Sequence, residues 1–238
     1  MDLFLLHCVV LTWTSLGSAR RLVRPAADQL LAATMLAWGN VVATSLLLSR
    51  LHRLDDPLWF LGTSAAIAGL ICSVLFRVRP APIPSVSPVS AKASRINPWL
   101  LGAFSLVTAA LALGSIAVAS TYQPSSPDAL AYHLPRVMYY LGQGSLAHFL
   151  APDLRQVYLP FNYNLLQLFC LVYSPPFQCL NFFNLLAWAI TGIAAYRLCR
   201  LIDFSPNASL IACGLTLISP PIIAQSTSTT DSLASVGR

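Results

Sequence analysis

Glutamate is absent from this 238-residue sequence, and charged residues of all kinds make up only 9% of it. A soluble domain needs more charge to cover its surface, because charged side chains are about a quarter of an average globular protein. Hydrophobic residues reach 56%, and several uncharged runs approach the roughly 20 residues that cross a bilayer core as a helix. The sequence therefore predicts an all-α, polytopic membrane protein.

Six apolar segments have the length of a membrane span, and each ends at arginines, prolines or polar clusters. We predict helices over 3–19, 26–49, 57–76, 98–120, 179–198 and 207–224. The stretch 79–97, rich in proline and serine, predicts an extended linker. We therefore expect an amino-terminal three-helix piece over 1–78, a cytoplasmic linker over 79–97, and a second transmembrane module over 98–238 with a large exoplasmic loop at 121–178.

The net charge of +6 does not indicate a nucleic-acid partner, because the basic residues lie at the ends of apolar segments, where they set membrane topology. Most of them fall on one side of the six predicted spans, which we assign to the cytoplasm: Arg20, Arg21, Arg24, Arg77, Arg79, Lys92, Arg95, Arg197 and Arg200. The other side has Arg50, Arg53, Arg136 and Arg155. The loop 121–178 and the polar segment 225–235 are therefore expected on the exoplasmic face.

A short apolar segment, NYNLLQLFCLVYS at 162–174, tests this topology. It is too short for an ordinary span and is bounded by prolines at both ends. If it crossed the membrane, Arg197 and Arg200 would lie outside, against the positive-inside rule. We predict a juxtamembrane or re-entrant helix that is buried against the spans and belongs to the exoplasmic loop.

The six cysteines show no CxxC pair and no Cys/His spacing typical of a zinc site. Most fall inside or beside apolar segments, which favours a packing role. The cysteines therefore do not support a metal centre.

The loop opens with SPDALAYHLPRVMYYLGQGSL, residues 126–146. A serine followed by a proline is typical of a helix start, and it puts Asp128 in the positive first turn. Asp128, Tyr132 and Arg136 recur at steps of four and are predicted to share one face, with His133 one position round. Pro135 is expected to bend or end this helix.

Two interpretations of this helix stay open. It is either an amphipathic interfacial helix, with Tyr132, Tyr139 and Tyr140 at the lipid headgroups, or part of a site. The site hypothesis gains from Asp231, which follows a run of serines and threonines at the same predicted face. Asp231 is otherwise a helix cap, and a single histidine such as His133 is often only a packed core residue.

Two aspartates at one membrane face can bind a divalent cation, or one can act as a base towards an acceptor hydroxyl. Arg136 and His133 are suited to contact phosphate oxygens. We therefore predict Asp128 and Asp231 as the catalytic and possible metal-binding pair, with Tyr132, His133 and Arg136 as donor-phosphate or acceptor contacts.

The chain from 98 to 235 resembles the GT-C glycosyltransferases, most of all the bacterial branch related to protein O-mannosyltransferases and aminoarabinose transferases. The matching text is PDALAYHLPRVMYYLGQGSL, then LPFNYNLLQLFCLVY, then AYRLCRLIDFSPNASLIACGLTLISPPIIAQSTSTTDSLAS. The resemblance implies an enzyme of a bacterial inner membrane that takes a sugar from a polyprenyl-phosphate donor and transfers it at the exoplasmic face. It maps the acid of the first exoplasmic loop to Asp128 and the acid of the second to Asp231.

Two departures from that family bear on function. The family pairs two acids in the first loop, whereas the neighbour of Asp128 here is Pro127. The family also has further spans beyond the position of Arg238, so we expect an amino-terminal fragment that is inactive alone. A transporter or channel fragment and a non-enzymatic membrane scaffold are the alternative functions; the sequence does not fix the oligomeric state.

Overall fold

The computed structural model describes residues 2–23, 25–78, 95–122, 127–158, 161–174 and 177–226. Helices occupy most of these ranges, and none of the residues within them forms a strand. The predicted all-α class is therefore confirmed. The predicted linker lies largely outside the described residues, as does Asp231.

Five helices are long and apolar enough to cross a membrane. They are α1 (Asp2–Leu22), α2 (Ala26–Arg50), α3 (Pro57–Val78), α4 (Pro98–Thr121) and α8 (Asn181–Leu201). Large apolar side chains point outward from them, as Trp13 and Trp99 do at 80% and 86% exposure. Such a surface suits lipid, because water would make it an aggregation hazard. Membrane-spanning helices are thus plausible for this chain on length, composition and surface.

The sixth predicted span is divided in the structure. Helix α9 runs over Pro206–Leu217 and α10 over Pro220–Ser226. At 1.5 Å per residue, the 12 residues of α9 reach about 18 Å, well short of a hydrocarbon core of about 30 Å. A sixth continuous span is therefore not confirmed.

Several shorter elements lie between α4 and α8 in the described part of the chain. They are α5 (Leu134–Gly142), α6 (Arg155–Tyr158), α7 (Asn162–Leu171) and a 3-10 turn over Phe177–Leu180. A π-helical turn over Ala129–His133 leads into α5. Helix α7 has ten residues and most of them are buried, so the segment predicted as a short buried helix has that form.

The contacts divide the chain into two compact units that do not follow chain order. The first joins Met1–Ile83 with Ser125–Phe177, and the second joins Pro84–Pro124 with Gln178–Arg238. Within the first unit α1, α2 and α3 pack together, and α7 packs against both α2 and α5. The predicted division at 79–97 is sequential, whereas here residues 125–177 associate with the amino-terminal helices. Packing of α7 on α2 and the bond from Tyr173 to His7 connect this segment with those helices.

Two hydrogen bonds from backbone amides hold the loop after α5 against the carboxyl end of α2. The Leu54 amide donates to the Gly144 carbonyl at 3.1 Å, and the Leu146 amide donates to the Ser49 hydroxyl at 2.8 Å. Gly144 has a φ of +63°, and a Cβ atom there would lie 3.1 Å from the His52 carbonyl oxygen. Glycine suits this position because it accepts a positive φ and leaves room for the neighbouring backbone.

The second unit is built from α4, α8, α9 and α10 around a small core of Trp188, Cys213 and Leu217. The Trp188 indole donates to the Leu217 carbonyl at 3.1 Å, at the point where α9 ends. The Asn181 amide nitrogen donates to the carbonyls of Ala119 and Tyr122, at 3.1 and 2.9 Å. These bonds serve backbone groups that the ends of α4 and α9 leave open.

Candidate functional site

The candidate site lies in the first unit, around the π-helical turn that precedes α5. The Leu134 amide donates to the Ala129 carbonyl, five residues back, which widens the turn. Pro135 has no amide hydrogen for the Ala131 carbonyl, four residues before it. That carbonyl accepts a hydrogen bond from Gln156 Nε2 at 2.8 Å instead. Pro135 and the Gln156 side chain together therefore support the π-helical turn. Such turns are frequent at functional sites.

Asp128 and Tyr132 have Arg155 as a common neighbour. Asp128 Oδ1 lies 3.7 Å from Arg155 Nη1, with side chains 51% and 45% exposed. The Arg155 guanidinium carbon lies 5.0 Å from the centre of the Tyr132 ring, within cation–π range. The result is an accessible carboxylate next to an accessible cation over an aromatic ring.

Asp153 is the closer ion-pair partner of Arg155. The Arg155 Nη2 donates to Asp153 Oδ2 at 2.7 Å, and Nε also donates to the same carboxylate. Hydrogen bonding from Arg155 lowers the pKa of the Asp153 carboxyl, and the same bond raises the pKa of Arg155. Arg155 is therefore held between two carboxylates. The side chains of Arg155 and Asp128 remain open to solvent.

His133 is buried one residue further along, against the amides of α7. Asn164 Nδ2 lies 3.1 Å from His133 Nδ1 and 3.2 Å from the His133 carbonyl oxygen. The same nitrogen donates to Gln167 Oε1 at 3.0 Å. An amide nitrogen is a donor only, so Nδ1 is the accepting nitrogen of His133 and a neutral ring has its proton on Nε2. The Tyr132 ring covers the imidazole, with centroids 4.2 Å apart.

Arg136 is 1% exposed and its guanidinium is surrounded by oxygen atoms of the fold. Nε donates to the Gln156 carbonyl, Nη2 donates to the Arg155 carbonyl at 2.7 Å, and Nη1 donates to Asn164 Oδ1 at 3.3 Å. A planar fork of donors suits three acceptors at once. Arg136 thereby fixes α6 and, with it, the backbone of Arg155.

The predicted face of three residues is thus divided in two. Asp128 and Tyr132 meet at Arg155, whereas Arg136 lies with His133 in the buried polar cluster of Asn164, Gln167 and Gln156. The π turn explains the division, because it changes the register between Ala129 and Leu134. Contact of His133 or Arg136 with a phosphate stays a prediction; of the two arginines, the structure exposes Arg155.

Sequence reasoning did not assign Arg155, Gln156, Asn164 or Gln167 to the site. A signal was present, since the run NYNLLQ places three amide side chains in an apolar helix, where each needs a partner. Arg155 was counted for topology alone. Its proximity to Asp128 depends on the path of residues 143–154, which periodicity does not report.

The three tyrosines of the interfacial interpretation differ in environment. Tyr132 and Tyr140 are buried, and only Tyr139 is exposed, at 43%. Tyr139 stacks on Phe149 with centroids 4.4 Å apart, and Tyr140 meets the same ring edge-on. Burial raises the pKa of the Tyr140 hydroxyl. A headgroup position therefore suits Tyr139, while the other two tyrosines pack inside the unit.

Asp231, the second predicted acid, lies outside the described residues, so the two-aspartate site stays a prediction. Within the parts of the chain that the structure describes, no three histidine, cysteine or acidic side chains form a group able to hold a metal ion.

Comparison of the chain with family models, with curated proteins and with solved structures finds no match. The case for a function therefore depends on the residues of the site and on the resemblance noted from the sequence.

Proposed function

We propose that the chain is a membrane glycosyltransferase of the GT-C type, or the amino-terminal part of one. Its donor is a polyprenyl-phosphate sugar, and transfer takes place at the exoplasmic face of a bacterial inner membrane. The observation that carries the proposal is the accessible Asp128 carboxylate 3.7 Å from the Arg155 guanidinium, beside the Tyr132 ring.

Each member of this group suits one requirement of sugar transfer. Arg155 attracts the donor phosphate, for which a guanidinium is the best protein partner. Tyr132 is buried beneath Arg155, and its ring supports the guanidinium beside Asp128. Asp128 accepts the proton of the acceptor hydroxyl as that oxygen bonds to the anomeric carbon. The bond from that carbon to the phosphate breaks, and polyprenyl phosphate leaves.

The surroundings of the group suit a lipid donor. The π turn and α7 belong to the same unit as α1, α2 and α3, three of the helices that are long enough to span a bilayer. A donor with a long apolar tail would reach a site of this kind from the lipid, with its phosphate at the polar group. His133 packs on the Tyr132 ring, and Arg136 donates to the Arg155 carbonyl, so both buried residues support the group from behind.

The direct test is transfer from polyprenyl-phosphate donors with radiolabelled sugars, with the protein in lipid nanodiscs. Asp128→Asn should lower the transfer rate at least 100-fold, since general-base catalysis contributes about 10²–10⁴-fold. Asp203→Asn is the matched control, because Asp203 lies in the turn between α8 and α9 at φ +65°, a conformation that asparagine also adopts. Wild-type rates in Asp128→Asn, with the control also active, would remove the case for the site.

A second candidate function is a transporter or channel fragment, favoured by a buried polar chain of His7, Asn40 and Ser64 in the apolar helices. Polar groups at such depth often mark transport pathways. Solute flux into proteoliposomes that survives Asp128→Asn but is lost in Asn40→Leu would support this candidate over the enzyme.

The exoplasmic position of the site has its own test. Single cysteines at 128 and 203, in a cysteine-free background, are labelled in intact cells with an impermeant maleimide. The charge distribution predicts labelling at 128 and protection at 203. The reverse pattern would place Asp128 in the cytoplasm, away from an exoplasmic donor.

A further inference from the structure

A chain of hydrogen bonds crosses the first unit from the end of α7 to the middle of α2. The Tyr173 hydroxyl lies 2.6 Å from His7 Nδ1, and His7 Nε2 lies 2.7 Å from the Ser64 hydroxyl. Ser64 donates to Asn40 Oδ1 at 2.7 Å, and Asn40 Nδ2 returns a bond to the Ser64 carbonyl at 3.0 Å. The chain joins α1, α2, α3 and the residues after α7.

Every hydrogen bond of this network can be assigned a donor and an acceptor when His7 is neutral. Ser64 uses its hydroxyl proton on Asn40, so it accepts from His7 Nε2–H. His7 Nδ1 is then an acceptor and takes the hydroxyl proton of Tyr173. Thr44 adds a second donor to Asn40 Oδ1, at 3.2 Å. Every polar atom named in this chain has a partner, as burial in an apolar bundle requires.

Aromatic rings enclose the histidine end of the chain. Phe169 meets the His7 ring edge-on at 4.9 Å between centroids, and Phe60 lies at 6.1 Å. Phe4 contacts both Phe169 and Tyr173, at 5.6 and 5.8 Å. Two of these rings, Phe169 and Tyr173, come from the carboxyl end of α7 and the turn after it.

The amino end of the same helix forms the floor of the candidate site. Asn164 bonds His133 and Arg136 there, and Gln167 accepts from Asn164. Leu165 and Leu168, between the two ends, are fully buried. Since rigid helices can carry coupling between their ends, we expect a displacement at Tyr173, just after α7, to reach Asn164.

We infer that His7 is a positioning residue: through Tyr173 it fixes α7, and through Asn164 it fixes His133 and Arg136 behind the reacting groups. This assigns a role to the amino-terminal helices, which serve as the platform for the site. Only the catalytic consequence depends on the proposed glycosyltransferase function; the mechanical coupling does not.

Hydrogen exchange read by mass spectrometry tests the coupling on the full chain in nanodiscs. Tyr173→Phe removes one hydroxyl and keeps the ring, so the aromatic enclosure stays intact. Amides of 162–174 should exchange about 2- to 12-fold faster, the range that the loss of one hydrogen bond produces. A smaller acceleration should reach 129–142, while 57–78 keeps its wild-type exchange.

Two histidine variants and one tyrosine control sharpen the result. His7→Phe fills the ring site without hydrogen bonds and should match Tyr173→Phe over 162–174, whereas His7→Gln offers an acceptor and a donor and should restore wild-type exchange there in part. Tyr122→Phe removes an exposed hydroxyl and should change nothing. Unchanged exchange at 162–174 in Tyr173→Phe, or equal acceleration over 57–78, would overturn the inference.

The catalytic consequence is read separately. If the wild-type chain transfers sugar, Tyr173→Phe should lower kcat several-fold with KM within about twofold, and His7→Gln should recover part of the loss. An inactive wild-type chain would contradict the proposed function and leave the exchange result to decide the positioning role. Normal kcat in Tyr173→Phe and His7→Phe, despite faster exchange at 162–174, would show that α7 does not position the site.

Discussion

Gln156 provides a hydrogen-bond donor to a backbone carbonyl that Pro135 cannot serve. Its side-chain nitrogen donates to the Ala131 carbonyl at 2.8 Å. In a regular helix the amide of residue 135 would serve that carbonyl, and Pro135 has none. Arg136, next in the chain, donates in return to the Gln156 carbonyl. The π turn and α6 therefore stabilise each other, and α6 presents Arg155 to Asp128.

Replacement of Gln156 should therefore destabilise the protein more than its position in a four-residue helix suggests. Gln156→Leu leaves the Ala131 carbonyl without its donor and should cost about 1–3 kcal/mol of unfolding free energy. In a Pro135→Ala background the new amide can serve the same carbonyl, and the cost should fall. Thermal unfolding of the single and double variants gives the coupling energy. Additive effects would mean that the two residues act independently.

Arg136 should tolerate even lysine poorly. Lysine retains the charge but replaces a planar fork with a point charge, which cannot reach the carbonyls of Arg155 and Gln156 and the Asn164 amide together. We expect Arg136→Lys to cost about 2–3 kcal/mol, since buried polar groups lose their partners. Arg53→Lys, at an exposed arginine of the same unit, is the control. Equal melting temperatures for the two variants would contradict the structural role of Arg136.

The helices were predictable from the sequence, while the site was predictable only in part. The predicted bounds of α2 and α4 differ from the observed ones by a single residue at one end, because apolar runs and their proline or arginine limits are local features. The turn before α5 was expected to be irregular because Pro135 lacks an amide hydrogen. Its π form was not predicted, since it depends on a glutamine more than 20 residues away.

The partners of His133 illustrate the same limit. Asn164 is 31 residues distant, and no periodicity connects it with the histidine. The amides of NYNLLQ indicated that α7 needs polar partners, but not which ones. His7 was not considered because it lies near the start of an apolar helix, and its bonds to Ser64 and Tyr173 arise from packing of distant segments.

The Asp153 carboxyl should titrate below its ordinary pKa because Arg155 donates hydrogen bonds to it. A lowered carboxyl pKa means that the ion pair is complete near neutral pH and is lost as the pH falls through the lowered value. Carboxyl-carbon chemical shifts of labelled protein would give the titration curve. Arg155→Gln should return the Asp153 pKa upward, because it removes the hydrogen bonds that lower it. An unchanged Asp153 curve in Arg155→Gln would contradict the pair.

Gly144 should be the least replaceable glycine of the loop. At φ +63° an alanine is strained by about 1–2 kcal/mol, and its Cβ would lie 3.1 Å from the His52 carbonyl oxygen. Gly144→Ala should therefore lower the melting temperature and loosen the contact between the loop and the end of α2. Gly142→Ala, two residues earlier, is the matched control, because a Cβ there meets no atom within 4 Å and alanine favours the helix. If both variants melt at the same temperature, the approach of Gly144 to His52 does not hold the loop in place.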